Sequence, residues 1–152
     1  MSQRIASMRL AQAQGKRLVC TNGVFDQMHA GHVHFLRQAR ALGDVLVVGV
    51  NNDSSARHLK GAGRPVSSEH DRLALVAALD PVDDAFLFEG ETFDELLRLL
   101  KPDLYVKGGD YTPETIPEAA IIREMNCRVR ILPLVSGAVT TRQEGREREV
   151  FP

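Results

Sequence analysis

Two imidazoles separated by an alanine and a glycine, His29-Ala30-Gly31-His32, stand where a loop runs into a helical pattern. A helix N-terminus presents backbone N–H groups and a partial positive charge, which suits a phosphate. Imidazoles at that place donate further N–H bonds to phosphoryl oxygens as charge shifts during transfer. Gly31 removes a side chain where a nucleotide must approach the backbone closely. Attack by a phosphate monoester needs little general-base help, because the nucleophile is already largely ionised near neutral pH. Positioning and electrostatic stabilisation therefore do most of the work. Duller readings compete. The two histidines could be ordinary helix-start residues, or ligate zinc together with His34 or Cys20. Ligands on one helix face prefer an i,i+4 spacing, however, and no second ligand pair stands nearby, so no metal ligands are assigned. Gly61-Ala62-Gly63 fails as a dinucleotide fingerprint, since Pro65 follows and no strand immediately precedes it.

The elements that must position these groups alternate along the chain. Ile5 to Gly15 reads as a weak helix, Arg17 to Thr21 as a short strand, and His29 to Leu42 as a helix stopped by Gly43. Asp44 to Val50 (DVLVVGV) is so apolar that both its faces must be covered, the habit of a parallel sheet. Ser68 with Asp71 opens a helix through Leu79, and Val82 to Phe88 is a strand. Thr92 with Glu95 forms a second capping box for a helix halted by Pro102. Asp103 to Lys107 is a strand, Thr115 with Glu118 opens a helix ending near Asn126, and Val129 to Leu134 is the last strand. This order predicts a single α/β Rossmann-like domain with a doubly wound parallel sheet. Ligands in such sheets sit beyond the carboxyl ends of the strands. The loops there carry Asn22, Gly23, Phe25 and Asp26; Asn51 through Lys60; Lys107, Gly108, Gly109 and Asp110; and Thr140 with Thr141.

Composition narrows the partners. The chain has 152 residues, enough for one domain with a core. Its formal net charge of -1 argues against nucleic acid or an acidic membrane surface as a partner. Cys20 and Cys127 lie far apart without CxxC spacing and read as buried thiols in a reducing compartment. No apolar run approaches the roughly 18 residues of a membrane span, and the N-terminus lacks a signal-type apolar stretch. A soluble, cytoplasmic protein is expected.

TNGVFDxxHAGH, the strand GDVLVVGVNND, LKGAGRPV (Leu59 to Val66), EHDR (Glu69 to Arg72), VKGGDY (Val106 to Tyr111) and the late Thr140-Thr141 pair occur in order. This set resembles the cytidylyltransferase-like branch of the HxGH nucleotidyltransferases, and its LKGAGRPV and KGGDY segments are similar to the nucleotidyltransferase domain of ADP-heptose synthesis. The resemblance implies that His29 and His32 bind the triphosphate and stabilise the transition state. It implies that Lys60, on a mobile loop, neutralises phosphate charge. Asn22, Gly23, Phe25, Gly31, Lys107, Gly108, Asp110, Thr140 and Thr141 would form the nucleotide pocket. Asp26, Asn51, Arg64 and Arg72 would lie on the substrate side, with Asp26 either capping the helix region or orienting a magnesium-bound phosphate, and Arg72 either contacting phosphate or supporting the site.

The implied reaction is transfer of AMP from ATP to a heptose 1-phosphate with release of pyrophosphate. Mg2+ would be held mainly by the phosphates, and a separate sugar kinase and a homodimer are further implications. Cytidylyl or guanylyl transfer to glycerol 3-phosphate or another polyol phosphate stays open as an alternative. So does a module that binds nucleotide without turning it over. The basis of that last reading is Arg142 to Glu149, RQEGRERE, where the family commonly has an apolar helix. The expected organisation is an N-terminal helical extension at 1–16, a nucleotidyltransferase domain at 17–141 and a charged tail at 142–152.

Overall fold

The structure, a computed structural model, describes residues 2–90 and 92–133. Its elements run α1 (Ser2–Ala13), β1 (Leu18–Gly23), α2 (Ala30–Arg40), β2 (Val45–Asn51), α3 (Asp53–Lys60), α4 (Glu69–Ala77), β3 (Asp84–Phe88), α5 (Asp94–Leu100), β4 (Leu104–Gly108), α6 (Ala119–Met125) and β5 (Arg128–Leu132). The strands form one sheet in the order β3-β2-β1-β4-β5. All four pairings are parallel. The expected α/β Rossmann-like, doubly wound architecture is what the chain adopts. Strand order reverses between β1 and β4, and that crevice is where parallel sheets of this kind take ligands.

Alternation along the strands builds two cores. Val19, Leu46, Val48, Val50, Leu104 and Val106 pack with Phe35, Leu36 and Ala39 of α2 and Val76 of α4. Leu18, Cys20, Val47, Phe86 and Tyr105 face the opposite way, onto Met8 of α1, Leu96, Leu97 and Leu100 of α5, and Ile121 and Ile122 of α6. This division explains the unbroken apolar run in β2, whose residues from Leu46 onward are all buried. The helix at the N-terminus is tied down by more than Met8. Arg4 Nε donates to Asp84 Oδ2 at 2.8 Å, and Arg9 Nη2 donates to the Leu99 carbonyl at 2.8 Å.

At the amino edge of the sheet, aspartates that precede strands or follow turns accept amides from neighbouring segments. Leu18 N donates to Asp103 Oδ2, Arg17 N to Asp44 Oδ2 and Leu46 N to Asp83 Oδ2, each at 2.8 Å. These bonds satisfy amides that the ladder leaves over. Among the described residues, no helix is long and apolar enough to cross a membrane.

Several local expectations change. The stretch after β2, expected as a mobile loop carrying Lys60, is the helix α3, with Lys60 as its last residue. Asn52 caps it by accepting from Ser55 N at 2.9 Å. The Ser68 cap of α4 forms as expected, with Asp71 N donating to Ser68 Oγ at 3.2 Å. The other two boxes do not form. Phe93 takes the N-cap place of α5 without a side-chain bond, because its ring is buried in the second core. Thr115 closes a turn with Thr112 instead, and α6 begins only at Ala119. In both cases tertiary burial overrides a weak local signal.

Gly49, in the middle of β2, is a close-approach position, since an added Cβ would run into the Phe93 ring. Gly49→Val is expected to lower unfolding stability by about 1–3 kcal/mol, the scale for overpacking. Urea melts of Gly49→Val, Phe93→Leu and the double variant check this: the double variant should lose less than the sum of the singles.

Candidate functional site

The turn from β1 into α2 folds back on itself through the two histidines. His29 is the N-cap of α2 in an extended conformation, φ -143°. Its Nδ1 accepts from Gly31 N at 2.9 Å, while His32 Nδ1 accepts from His29 N at 3.2 Å. The two ring centroids lie 4.3 Å apart. With Nδ1 an acceptor in both, each neutral ring carries its proton on Nε2. At the helix mouth the Gly31 amide is engaged by His29. His32 is fully buried, with the Phe25 ring 5.8 Å from its own. Phe25 and Gln27 both take positive φ, 54° and 53°, in the tight path between β1 and α2. Of the expected site residues, this turn gathers Gly23, Phe25, Asp26, His29, Gly31 and His32 at the carboxyl end of β1.

A second group forms the framework beside it. Asp26 Oδ2 accepts from Arg64 Nε at 2.9 Å and from Val66 N at 2.7 Å, and its Oδ1 accepts from Ser67 N at 3.0 Å. Burial works against ionisation of this carboxyl, but the Val66 and Ser67 amides and the Arg64 guanidinium together outweigh it and hold its pKa below the ordinary value. Of the two roles open to Asp26, the bonds observed are structural: they fasten the LKGAGRPV segment to the HAGH turn.

Arg72 is fully buried. It donates from Nε to the Ser67 carbonyl at 3.0 Å, from Nη1 to the carbonyls of Val24 at 2.8 Å and Asn51 at 2.7 Å, and from Nη2 to Asp53 Oδ1 at 2.8 Å. Of the two roles open to Arg72, the bonds observed are those of a residue that supports the site. Asn51 is nearly as buried, and its Nδ2 donates to Ser55 Oγ and the Gly90 carbonyl, both at 3.1 Å. Those bonds fix the start of α3 rather than leave the amide N–H groups for substrate.

The third group lies at the end of β4. Gly108 makes room for the α2 helix: a Cβ there would stand 2.9 Å from Phe35 Cε1. Gly109 takes φ 116°, a conformation that suits glycine, and turns the chain so that Asp110 is exposed beyond it. Lys107 and Asn22 are buried and meet at Glu118, which the sequence marks only as opening a helix together with Thr115. The signal that could have found it is weak, an acidic residue flanked by apolar ones just before a helix. Thr140 and Thr141 lie outside the described residues.

Comparison with known proteins bears on this arrangement. A family model described as cytidylyltransferase-like matches residues 20–143, from within β1 past the last described strand. The chain belongs to the cytidylyltransferase-like family. The domain is thus of nucleotidyltransferase type, and its HAGH turn, LKGAGRPV segment and KGGDY loop all fall inside the match. It is 48% identical over 141 residues to the bifunctional protein HldE of Trichlorobacter lovleyi, covering 93% of this chain and 28% of that protein. It is 46% identical over 141 residues to HldE of Pseudomonas paraeruginosa, covering 93% of this chain and 30% of that one. The chain therefore spans under a third of the length of these relatives. Among solved structures, a lipopolysaccharide core biosynthesis protein from Thermoplasma volcanium superposes with a TM-score of 0.65 at 35% identity, covering 79% of this chain and 97% of that one. A pantoate-beta-alanine ligase from Francisella tularensis shares the fold at 15% identity and a TM-score of 0.54.

Asp26→Asn removes the charge that three N–H donors converge on, and should cost about 2–3 kcal/mol at neutral pH, the scale of hydrogen bonds to a buried charge. A carboxyl whose folded pKa is depressed stabilises the fold above its unfolded value of about 3.9 and loses that contribution as pH falls through the folded value. Chemical melts of both proteins from pH 7 downward should show the stability gap hold to about pH 4 and narrow below it. A gap that widens in acid would contradict this account of Asp26.

Proposed function

We propose that this chain transfers AMP from ATP to a heptose 1-phosphate, forming a nucleotide-activated sugar and releasing pyrophosphate. The observation that carries the reading is the paired imidazoles at the mouth of α2, their ring centroids 4.3 Å apart and Nδ1 of each accepting a backbone amide. In the reaction an oxygen of the sugar phosphate attacks the α-phosphorus of ATP, the bond from that phosphorus to the bridging oxygen breaks, and pyrophosphate leaves with the electron pair. The two Nε2–H groups donate to phosphoryl oxygens as negative charge builds there. Lys60, at the C-terminal end of α3, adds a point charge toward the leaving phosphates.

Mg2+ is assigned to the nucleotide rather than to a protein cage, because the carboxylate of the HAGH turn, Asp26, is already engaged by Arg64, Val66 and Ser67. When bound it neutralises charge on the leaving pyrophosphate. The heptose is supported by resemblance in the LKGAGRPV and KGGDY segments and by relatives named HldE. Their name calls them bifunctional, and the proposal assigns sugar phosphorylation to a polypeptide region outside the residues matched here. A homodimer belongs to the same reading, and sedimentation at the monomer mass would end that part of it.

His32→Ala should lower turnover ~100- to 1000-fold, the scale for removing one transition-state donor. Circular dichroism must show α2 intact, since the ring also completes the cap. Near-parental turnover would remove His32 from the mechanism.

Substrate choice is tested by pairing four nucleoside triphosphates with heptose 1-phosphate, glycerol 3-phosphate and other polyol phosphates and following pyrophosphate. Release with ATP and heptose 1-phosphate is expected. Release only with CTP or GTP and a polyol phosphate would transfer the reading to that chemistry, and ATP binding without release from any pair would make the chain a non-catalytic nucleotide-binding module.

A further inference from the structure

A buried polar cluster that joins two residues of the expected nucleotide pocket, Asn22 and Lys107, to Glu118 lies beside the β1–β4 crevice, on the α6 face of the sheet. Lys107 is 5% exposed and Glu118, at the N-cap of α6, is 1% exposed. Lys107 Nζ stands 3.6 Å from Glu118 Oε1, too far for a hydrogen bond. Glu118 Oε1 has no hydrogen-bond partner among the described residues. Glu118 Oε2 accepts from Asn22 Nδ2 at 3.4 Å, and Asn22 Oδ1 accepts from the Tyr105 hydroxyl. The Tyr111 ring centroid lies 5.8 Å from Nζ.

Two ions removed from water normally close to about 2.7–2.9 Å, because only a charge-assisted hydrogen bond offsets their lost hydration. This pair stays apart. The carboxylate leaves donors of the ammonium untaken, and a buried ammonium with donors to spare calls for an acceptor. We propose that Lys107 receives a phosphoryl oxygen of a bound substrate at the crevice between β1 and β4, and that Glu118 is the positioning residue that keeps the ammonium in place and charged until that anion arrives. The nucleotidyltransferase reading supplies only the identity of the anion.

The electrostatics agree with the geometry. Burial pulls the Lys107 pKa below its ordinary value, and Glu118 opposes it. The other groups gathered there are Asn22 and Cys20 from β1, Tyr105 from β4, the strand of Lys107, and Tyr111 from the loop after β4. Burial pushes the Tyr105 hydroxyl and the Cys20 thiol well up, so both stay neutral and Glu118 is the one carboxylate of the cluster.

The direct test is a pH titration of the full chain with 13C-labelled lysine, reading the Lys107 Cε resonance alone and with ATP, a sugar phosphate or pyrophosphate added singly. The Lys107 midpoint should rise with the probe whose phosphoryl oxygen it receives, which also tells nucleotide from sugar phosphate. A midpoint that none of the three moves overturns the proposal. It does so even if the chain releases pyrophosphate. A midpoint that responds in a chain with no transfer activity supports it while the functional reading fails.

In kinetics, Glu118→Gln should raise KM for that substrate ~10-fold with kcat nearly held, and shift the alkaline limb of kcat/KM to lower pH. Lys107→Arg should retain most of the affinity that Lys107→Met loses. A Glu118→Gln protein that melts earlier yet keeps the parental KM and alkaline limb would reduce Glu118 to a helix cap and overturn its assignment. Should Glu118→Gln fail to fold, the titration of the parent chain still decides.

Discussion

The carboxyl edge of this sheet is held in shape by one buried guanidinium. Arg72 leaves α4 and bonds at once to the loop after β1, the end of β2, the start of α3 and the segment that leads into its own helix. A cation can sit without water only where its donors find acceptors fixed in place. Those acceptors are carbonyls of Val24, Asn51 and Ser67 and the carboxylate of Asp53, so satisfying the charge fixes the spacing of four chain segments. Asp26 does the reciprocal job, an anion collecting N–H groups from Arg64, Val66 and Ser67. Together the two buried charges join the HAGH turn to the segment that brings Arg64 onto Asp26.

On that framework the site has three parts with different physical characters. The imidazole pair is local: His29 and His32 close the entry into α2 with bonds that stay within residues 29–32. The Asp26–Arg64 part is tertiary and depends on a segment some forty positions away along the chain. The Lys107–Glu118 part draws on β1, β4 and the start of α6, the elements nearest the reversal of strand order. Gly108 serves this arrangement by letting the Phe35 ring of α2 lie against β4, which draws the imidazole-bearing helix toward the crevice.

What could be read from residues alone follows the range of the forces involved. The parallel sheet was legible because β2 is apolar throughout, and α2 because its apolar positions recur with helical period. The HAGH turn was legible because its chemistry lies within four residues. Helix α3 was not, since DSSARHLK buries only Ser55 and Ala56 and shows almost no apolar stripe. Its local marks were its ends, Asn52 before it and Gly61 after it. The failed boxes at Thr92 and Thr115 show the converse, a local pattern without a tertiary need for it. The burial of Arg72 and of Glu118 was not legible for a shared reason: charged side chains are expected at the surface, and only the assembled core shows that each is enclosed. The Asp26 bonds, the fixed Asn51 amide and the position of Lys60 likewise depend on the path of the chain between residues 51 and 67, which periodicity does not encode.

The interlocked histidines also limit what can be an acceptor. Each ring already spends its Nδ1 lone pair on a backbone amide, and each remaining nitrogen bears hydrogen. Such a pair can hand out hydrogen bonds, yet it cannot strip a proton from an alcohol without undoing the cap of its own helix. A hydroxyl compound entering this mouth would find no base in the imidazoles.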